Sequence, residues 1–402
     1  MSVHRHRDRW QVHWRQHGRQ RARTFDRKRD AQAWDAEIKR RAQLGPLAVE
    51  QLTEPGLTLG EWIVERWTPE HGVTLEASTR RRYAEVYELH LAPWLDDVAI
   101  RDVTVARLRA WQAERVQAGV SAGTLAKART FLSSVLRHAA ESEAIPGNPL
   151  TLVRAPRAEH SDAVVALAPV TVEAIRAVLL SPAKVQVPAG MRSGRPRRSY
   201  EREGHRSRRH RQRDAAMVSV LAYAGLRPGE LRGLRWEDVR DNTILVQRGA
   251  QADGGAKATK TRARRAVRLL APLAADLKAW RLASGRPPES APAFPRDDGR
   301  AWTKEDWGNW RGRQWTEACA AAGLATAPRP YDLRHSFASL LLAEHRTLHY
   351  VAAQLGHSPA LTLSTYGHVM AEYADAERID AEAEIARARG EACSLRVRQT
   401  TV

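Results

Sequence analysis

The stretch "PYDLRHSFASLLL", residues 330–342, sets Arg334 and His335 side by side and follows them with an apolar run at helical spacing. It reads as a helix with Arg334 in its first turns. Thirty-one residues beyond His335, in "LSTYGH", stands Tyr366. Either these are ordinary helix residues, or they form one phosphate-handling site.

The neighbouring segments favour a site. "YVAAQLGHSP" reads as a helix that ends at Gly356, with His357 just beyond, and "ALTLSTYGHVMAEYADA" is the segment that carries Tyr366. Upstream, "AMVSVLAYAGLRPGELRGLRWEDV" is apolar and helical up to Gly225, then turns into a new helix through Arg227 and a Pro-Gly pair. "NTILVQRG" and "ARRAVRLL" read as two strands, so the hairpin between them carries Lys257 and Lys260. Each piece is weak alone. Together they bring two arginines, a lysine, a histidine and a tyrosine from separate elements of one domain. Guanidinium forks match phosphate oxygens bidentately. Charge developing on a pentacoordinate phosphorus needs such fixed donors. A tyrosine hydroxyl can attack phosphorus and stay covalently attached, while a lysine or histidine protonates the leaving oxygen.

The chain around these segments points to the same partner. It has 402 residues, enough for two or three domains, and its 65 Lys and Arg against 46 Asp and Glu leave a net charge of +19. A polyanion is the expected partner, nucleic acid before membrane. No apolar run is long enough for a membrane span, and the basic N-terminus lacks the core of a signal peptide. Two cysteines, Cys319 and Cys393, make neither a disulfide framework nor a metal cluster. The expectation is a soluble, reduced, intracellular protein.

Residues 1–50 alternate Trp10, Val12 and Trp14, turn at Gly18, and continue through a second strand, "RARTF". A helix follows, carrying Ala31, Trp34 and Ile38, with Asp26 as its expected cap. "LTEPGLTL" reads as a linker. From Leu57 to Leu150 the pattern is helical throughout, a four-helix domain in which Ser78 is one expected N-cap and Gly119 one helix end. Residues 190–213, "GMRSGRPRRSYEREGHRSRRHRQR", hold almost nothing apolar and read as an inserted, disordered basic loop.

The blocks "AGLRPGELRGLRW", "TKTRARRAVRL", "PYDLRHSFASLLL" and "LGHSPALTLSTYGHV", in this order and spacing, resemble the tyrosine recombinases, or phage-type integrases. The resemblance is strong over the third segment and weaker upstream. It implies a multidomain fold. A small α+β N-terminal module at 1–50 would bind arm-type sites, and an all-α, four-helix domain at 57–150 would bind core sites. The catalytic domain would span 166–390, mainly α with a small antiparallel β-sheet.

On that resemblance Arg227 and Arg334 match the catalytic arginines, Lys260 the hairpin lysine ahead of Lys257, His357 the "LGH" histidine and Tyr366 the nucleophile. Tyr331 departs from the pattern, because histidine usually opens the box that here reads "YDLRH". A phenol donates a hydrogen bond to phosphate but is a poor proton shuttle at neutral pH, which shifts proton work toward Lys260 and His357. The resemblance gives His335 a packing role.

The implied activity is site-specific recombination through a 3′-phosphotyrosine, integrating or excising a mobile element. No cofactor, ATP or metal is implied. The implied partners are double-stranded DNA with attachment-type sites, three further copies of the chain, and accessory DNA-bending or directionality proteins, in the cytoplasm at the nucleoid. Two other readings compete. A type IB topoisomerase shares the chemistry but has less need of the N-terminal modules. A DNA-binding protein of this fold with weak or lost catalysis is supported by Tyr331 alone.

Overall fold

The computed structural model describes residues 2–6, 8–16, 19–43, 56–156, 166–182, 185–187, 190–192, 195–197, 199–202, 207–258, 264–373 and 376–400. The chain divides into two compact units, residues 1–161 and 162–402. It is mostly helical, with small antiparallel sheets. Among the described residues no helix is long and apolar enough to cross a membrane.

The first unit begins with a three-stranded antiparallel sheet, β1 (Ser2–His6), β2 (Arg9–Gln16) and β3 (Arg19–Phe25), followed by helix α1 (Lys28–Gln43). Alternation along β2 buries Val12 and Trp14 on one face, and Trp14 clusters with Ile38 and Trp34 of α1. Arg23 lies over the Trp34 ring at 4.2 Å. Asp26, at the entry to α1, is held by Arg9 at 2.7 Å.

The helical part of this unit starts inside the expected linker. Thr58 caps Leu59–Trp62 in a reciprocal capping box with Glu61. Three longer helices follow: α2 (Ala77–His90), α3 (Val105–Gln117) and α4 (Ala122–Glu141). The expected pattern was four helices; alongside these three longer ones the segment holds shorter helical pieces, Leu59–Trp62 and Ala92–Leu95 among them. Ser78 is not a cap, however. It sits inside the first turn of α2, whose N-cap is Glu76, with the Glu76 carbonyl taking the Thr79 and Arg80 amides. Gly119 ends α3 in a left-handed conformation, as its position suggested. The core here, around Leu59, Trp111, Phe131 and Val135, is separate from the Trp14–Ile38 cluster.

The second unit is built on α5 (Pro169–Leu180) and the central helix α6 (Arg208–Tyr223), which is buried from Arg213 onward. The expected basic loop 190–213 is therefore corrected at its end. Ser207 caps α6, so residues 208–213 are helix. Arg213 is buried, with its guanidinium 4.8 Å above the Trp302 ring and 3.5 Å from Asp297, and Asp297 also takes His210 at 2.7 Å. An arginine-rich composition argued for solvation, but an aromatic face and carboxylates elsewhere in the fold supply the missing partners. Within 185–202 the described backbone forms two short antiparallel pairs, Val185–Val187 with Tyr200–Arg202 and Gly190–Arg192 with Arg195–Arg197.

The expected hairpin is also more divided than a two-strand reading allows. β4 (Thr243–Val246) pairs with β7 (Arg265–Arg268), while β5 (Arg248–Ala250) pairs with β6 (Ala256–Ala258). Lys257 lies on β6 opposite Gly249, and Lys260 lies outside the described residues. Beyond helices at Ala271–Ala283, Lys304–Trp310 and Thr316–Ala321, the C-terminal part of the unit holds α7 (Leu333–Ala343), α8 (Leu348–Leu355), α9 (Pro359–Tyr373) and α10 (Ala381–Thr400).

Candidate active site

The site is organised by the C-terminal end of α8. The last carbonyls of a helix have no partner within it, and its dipole leaves partial negative charge there. Gly356 closes α8 in a left-handed turn, φ 63°. Three guanidiniums from three other elements then take three successive carbonyls. Arg265 Nε donates to Gln354 at 2.9 Å, Arg334 Nη2 donates to Leu355, and Arg227 Nη2 donates to Gly356 at 3.3 Å. The site arginines Arg227 and Arg334 are thus brought together from well-separated segments of the unit, with Arg265 beside them.

Burial separates their roles. Arg334, one residue into α7, is fully buried; it also donates to the Gly225 carbonyl and, through Nη2 at 3.0 Å, to His357 Nε2. Burial lowers its pKa to about 10, with further lowering by Arg227 and Arg265. Gly225 has φ 59°, and a Cβ there would lie 2.5 Å from the Phe337 ring, so only glycine leaves this carbonyl free to receive Arg334. Arg227 is the more exposed arginine, its side chain 37% accessible, and it pairs with Glu230 at 2.9 Å. Arg265 grips the same carboxylate at 2.9 and 2.6 Å. Burial works to raise the Glu230 pKa, but the Arg265 hydrogen bond and charge, with help from Arg227, hold it down at about 2.

His357 accepts from Arg334 on Nε2, so its proton resides on Nδ1. Burial first, then Arg334, Arg227 and Arg265, push its pKa down to about 4, and at neutral pH it is an uncharged donor. His357 Nδ1 and Arg334 Nε are both buried with no hydrogen-bond partner among the described residues. Two N–H groups of one cluster are thus unspent.

Tyr366, on α9, is fully buried. Burial raises its pKa, and Tyr331 adds to this while Arg334 opposes it. Its hydroxyl lies 2.7 Å from His335 Nδ1. His335 is therefore not confined to packing, as expected of it; it touches the hydroxyl assigned the nucleophile's role. Tyr331 sits four residues before His335, one turn away on the same side, and its ring meets the imidazole edge-on at 5.7 Å. The sequence signal for His335 was this i, i+4 relation to the position where histidine was expected.

Several known proteins are similar to this chain. A profile of the phage integrase family matches residues 203–372. A protein of Mycobacterium tuberculosis named prophage phiRv2 integrase is 26% identical over 359 residues, covering 86% of this chain and 84% of that one. A tyrosine recombinase XerC of a Methylobacterium species is 29% identical over 270 residues, covering 65% of this chain and 72% of its own. Among solved structures, the Tn1549 transposon integrase (residues 82–397) in complex with a circular intermediate DNA superposes with a TM-score of 0.59 at 18% identity, over 83% of this chain and all of that one. A lambda integrase tetramer bound to a Holliday junction gives 0.56 at 17% identity, over 88% and 92%. The matched segment holds Arg227, Arg334, His357 and Tyr366, and over it this chain is similar to the phage integrase family of tyrosine recombinases.

Proposed function

We propose that this protein is a site-specific DNA recombinase that cuts and rejoins double-stranded DNA at attachment-type sites through a 3′-phosphotyrosine, integrating or excising a mobile element. The observation that carries this reading is the cluster at the end of α8. Arg227, Arg334 and His357 gather round one turn, and two buried N–H groups there lack partners. A phosphodiester oxygen supplies the acceptor those donors need.

In this reading Tyr366 attacks the scissile phosphorus. Arg227 and Arg334 neutralise charge on the non-bridging oxygens, and neutral His357 adds a hydrogen bond through Nδ1. A low pKa leaves His357 without a spare proton near neutrality, so Lys260 is assigned the proton for the leaving 5′ oxygen. Tyr331 contributes a hydrogen bond to the phosphate. The modules at 1–50 and 57–150 read arm-type and core-type sites. Four copies assemble on two DNA sites, as lambda integrase does on its junction, and accessory DNA-bending or directionality proteins act at the arm sites. The protein works in the cytoplasm, at the nucleoid.

The test is a labelled suicide substrate, nicked beside the crossover, resolved on a denaturing gel. Wild type forms a covalent adduct; Tyr366→Phe binds the duplex and forms none. An adduct surviving in that variant moves the nucleophile to Tyr373 or elsewhere. Supercoil relaxation without site preference favours a topoisomerase instead, and binding without any adduct in wild type favours a catalytically lapsed relative.

A further inference from the structure

We infer that His335, rather than the residue at position 331, is the general base that takes the proton from Tyr366. This inference rests on the recombinase reading and deepens it. His335 Nδ1 stands 2.7 Å from the Tyr366 hydroxyl, inside hydrogen-bond range.

Three further observations support the assignment. Tyr366 is fully buried and its phenol is held neutral by its surroundings, so attack on phosphorus requires a partner to remove the proton. His335 is neutral at working pH, because burial lowers its pKa, with Arg334 and Arg329 adding to the effect and Asp332 opposing it. A neutral imidazole has a lone pair to offer. Finally, Tyr331 holds the usual histidine position and has no lone pair of comparable basicity. It stands edge-on to the His335 ring at 5.7 Å. Tyr331 lies in the short turn Pro330–Asp332 that leads into α7, and His335 lies in the first turns of α7, its Nδ1 facing Tyr366 of α9.

The Tyr366 oxygen forms a bond to phosphorus as its proton passes to His335 Nδ1. The bond from phosphorus to the 5′ oxygen breaks, and that oxygen is protonated by the acid assigned to Lys260. His335 is left as imidazolium, its positive charge offset by the phosphate in the site. In rejoining, the 5′ hydroxyl attacks phosphorus as its proton passes to Lys260, the phosphotyrosine bond breaks, and the imidazolium returns its proton to the phenolate.

The groups facing His335 are Tyr331, Asp332, Arg334 and Arg329 on its own segment and Tyr366 from α9, with His357 near enough for its charge to be felt. The decisive variant is His335→Asn, whose side chain keeps a polar atom near the Nδ1 position without its basicity. On the suicide substrate it should bind DNA as wild type does and form the adduct about a hundredfold more slowly. His335→Ala should be slower still and should recover in added imidazole. A 5′-phosphorothiolate substrate, whose leaving group needs no proton, should rescue Lys260→Ala but neither His335 variant.

Wild-type rates in His335→Asn would overturn the inference. So would phosphorothiolate rescue of His335→Asn, which would place His335 on the leaving group. Should His335→Ala melt early, the asparagine variant and its DNA binding still decide the matter. Failure of the recombinase reading itself looks different: Tyr366→Phe would then retain its adduct.

Discussion

In the proposed mechanism Arg227 is the residue whose electrostatic role separates most cleanly from folding. It is partly exposed, and its loss leaves Glu230 still held by Arg265. Arg227→Ala should therefore keep DNA binding and thermal stability and slow cleavage about a hundredfold to a thousandfold, the usual effect of losing one transition-state donor. Binding that falls in parallel with cleavage would make it a positioning residue. Arg334→Ala is a different experiment. That guanidinium is fully buried and spans the Gly225 and Leu355 carbonyls, so the variant should also unfold earlier on heating. His357 makes a prediction about pH. Its folded pKa, about 4, lies below its unfolded value, so the unfolded chain binds more protons between the two. Its contribution to stability is full above about pH 6.5 and is lost as pH falls toward 4. Urea midpoints at pH 7 and 5.5 should differ, and His357→Gln should shrink the difference.

Helix α8 and its closing turn are the elements on which the site depends. Gly356→Ala forces a left-handed conformation on a residue with a Cβ, and that Cβ would come within 3.1 Å of the Arg265 side chain. The strain should cost about 1–2 kcal/mol and slow cleavage as well, because three arginines take their bearings from that turn. Glu230→Gln removes the carboxylate shared by Arg227 and Arg265. Breaking a buried pair from one side costs about 3–5 kcal/mol, which a denaturant titration would register. The ends of α6 and α8 were readable beforehand, because glycine after an apolar periodic run marks a left-handed exit. The convergence of arginines was not. Arg265 looked like one more basic residue in a strand, and its partners Glu230 and Gln354 are 35 and 89 residues away in the chain. The contact of His335 with Tyr366 was hidden for the same reason. The loop expected at 190–213 failed where composition outweighed a cap: Ser207 starts α6, and the partners that bury Arg213 come from around residue 300.

Across the molecule, separate cores account for separable tasks. The Trp14–Ile38 cluster shares no residue with the core built around Phe131. A chain starting at Leu57 should therefore keep its footprint on core-type DNA and lose one on arm-type DNA; an unchanged pair of footprints would demote residues 1–50 to nonspecific attraction. With a net charge of +19, affinity of the full chain should fall steeply between low and physiological salt, since each phosphate contact releases a counterion. In the second unit, α10 is tied down by ions as well as by packing. Arg389 reaches Asp276 at 2.5 Å and Glu173 at 3.3 Å, and Arg176 and the Tyr223 hydroxyl complete the network. The change of hydrophobic period near residue 57 was readable in the sequence, and the strands and first helix before it keep a core apart from the helical one after it. The route of α10 back to α5 was not readable, because nothing local in "AEAEIARARG" names its partners.

The depth at which Tyr366 lies has a consequence for how the protein behaves toward ordinary reagents. A phenol with no accessible surface, already engaged by an imidazole, is beyond the reach of nitrating or acylating agents and of small phosphodiesters in solution. Tyrosines with open edges, such as Tyr350 and Tyr331, should be labelled first, and Tyr366 last. Peptide mapping after brief tetranitromethane treatment would rank them. If duplex DNA reverses that order, the enzyme holds its nucleophile in reserve by concealment, and spontaneous damage to it before a site is found is correspondingly rare.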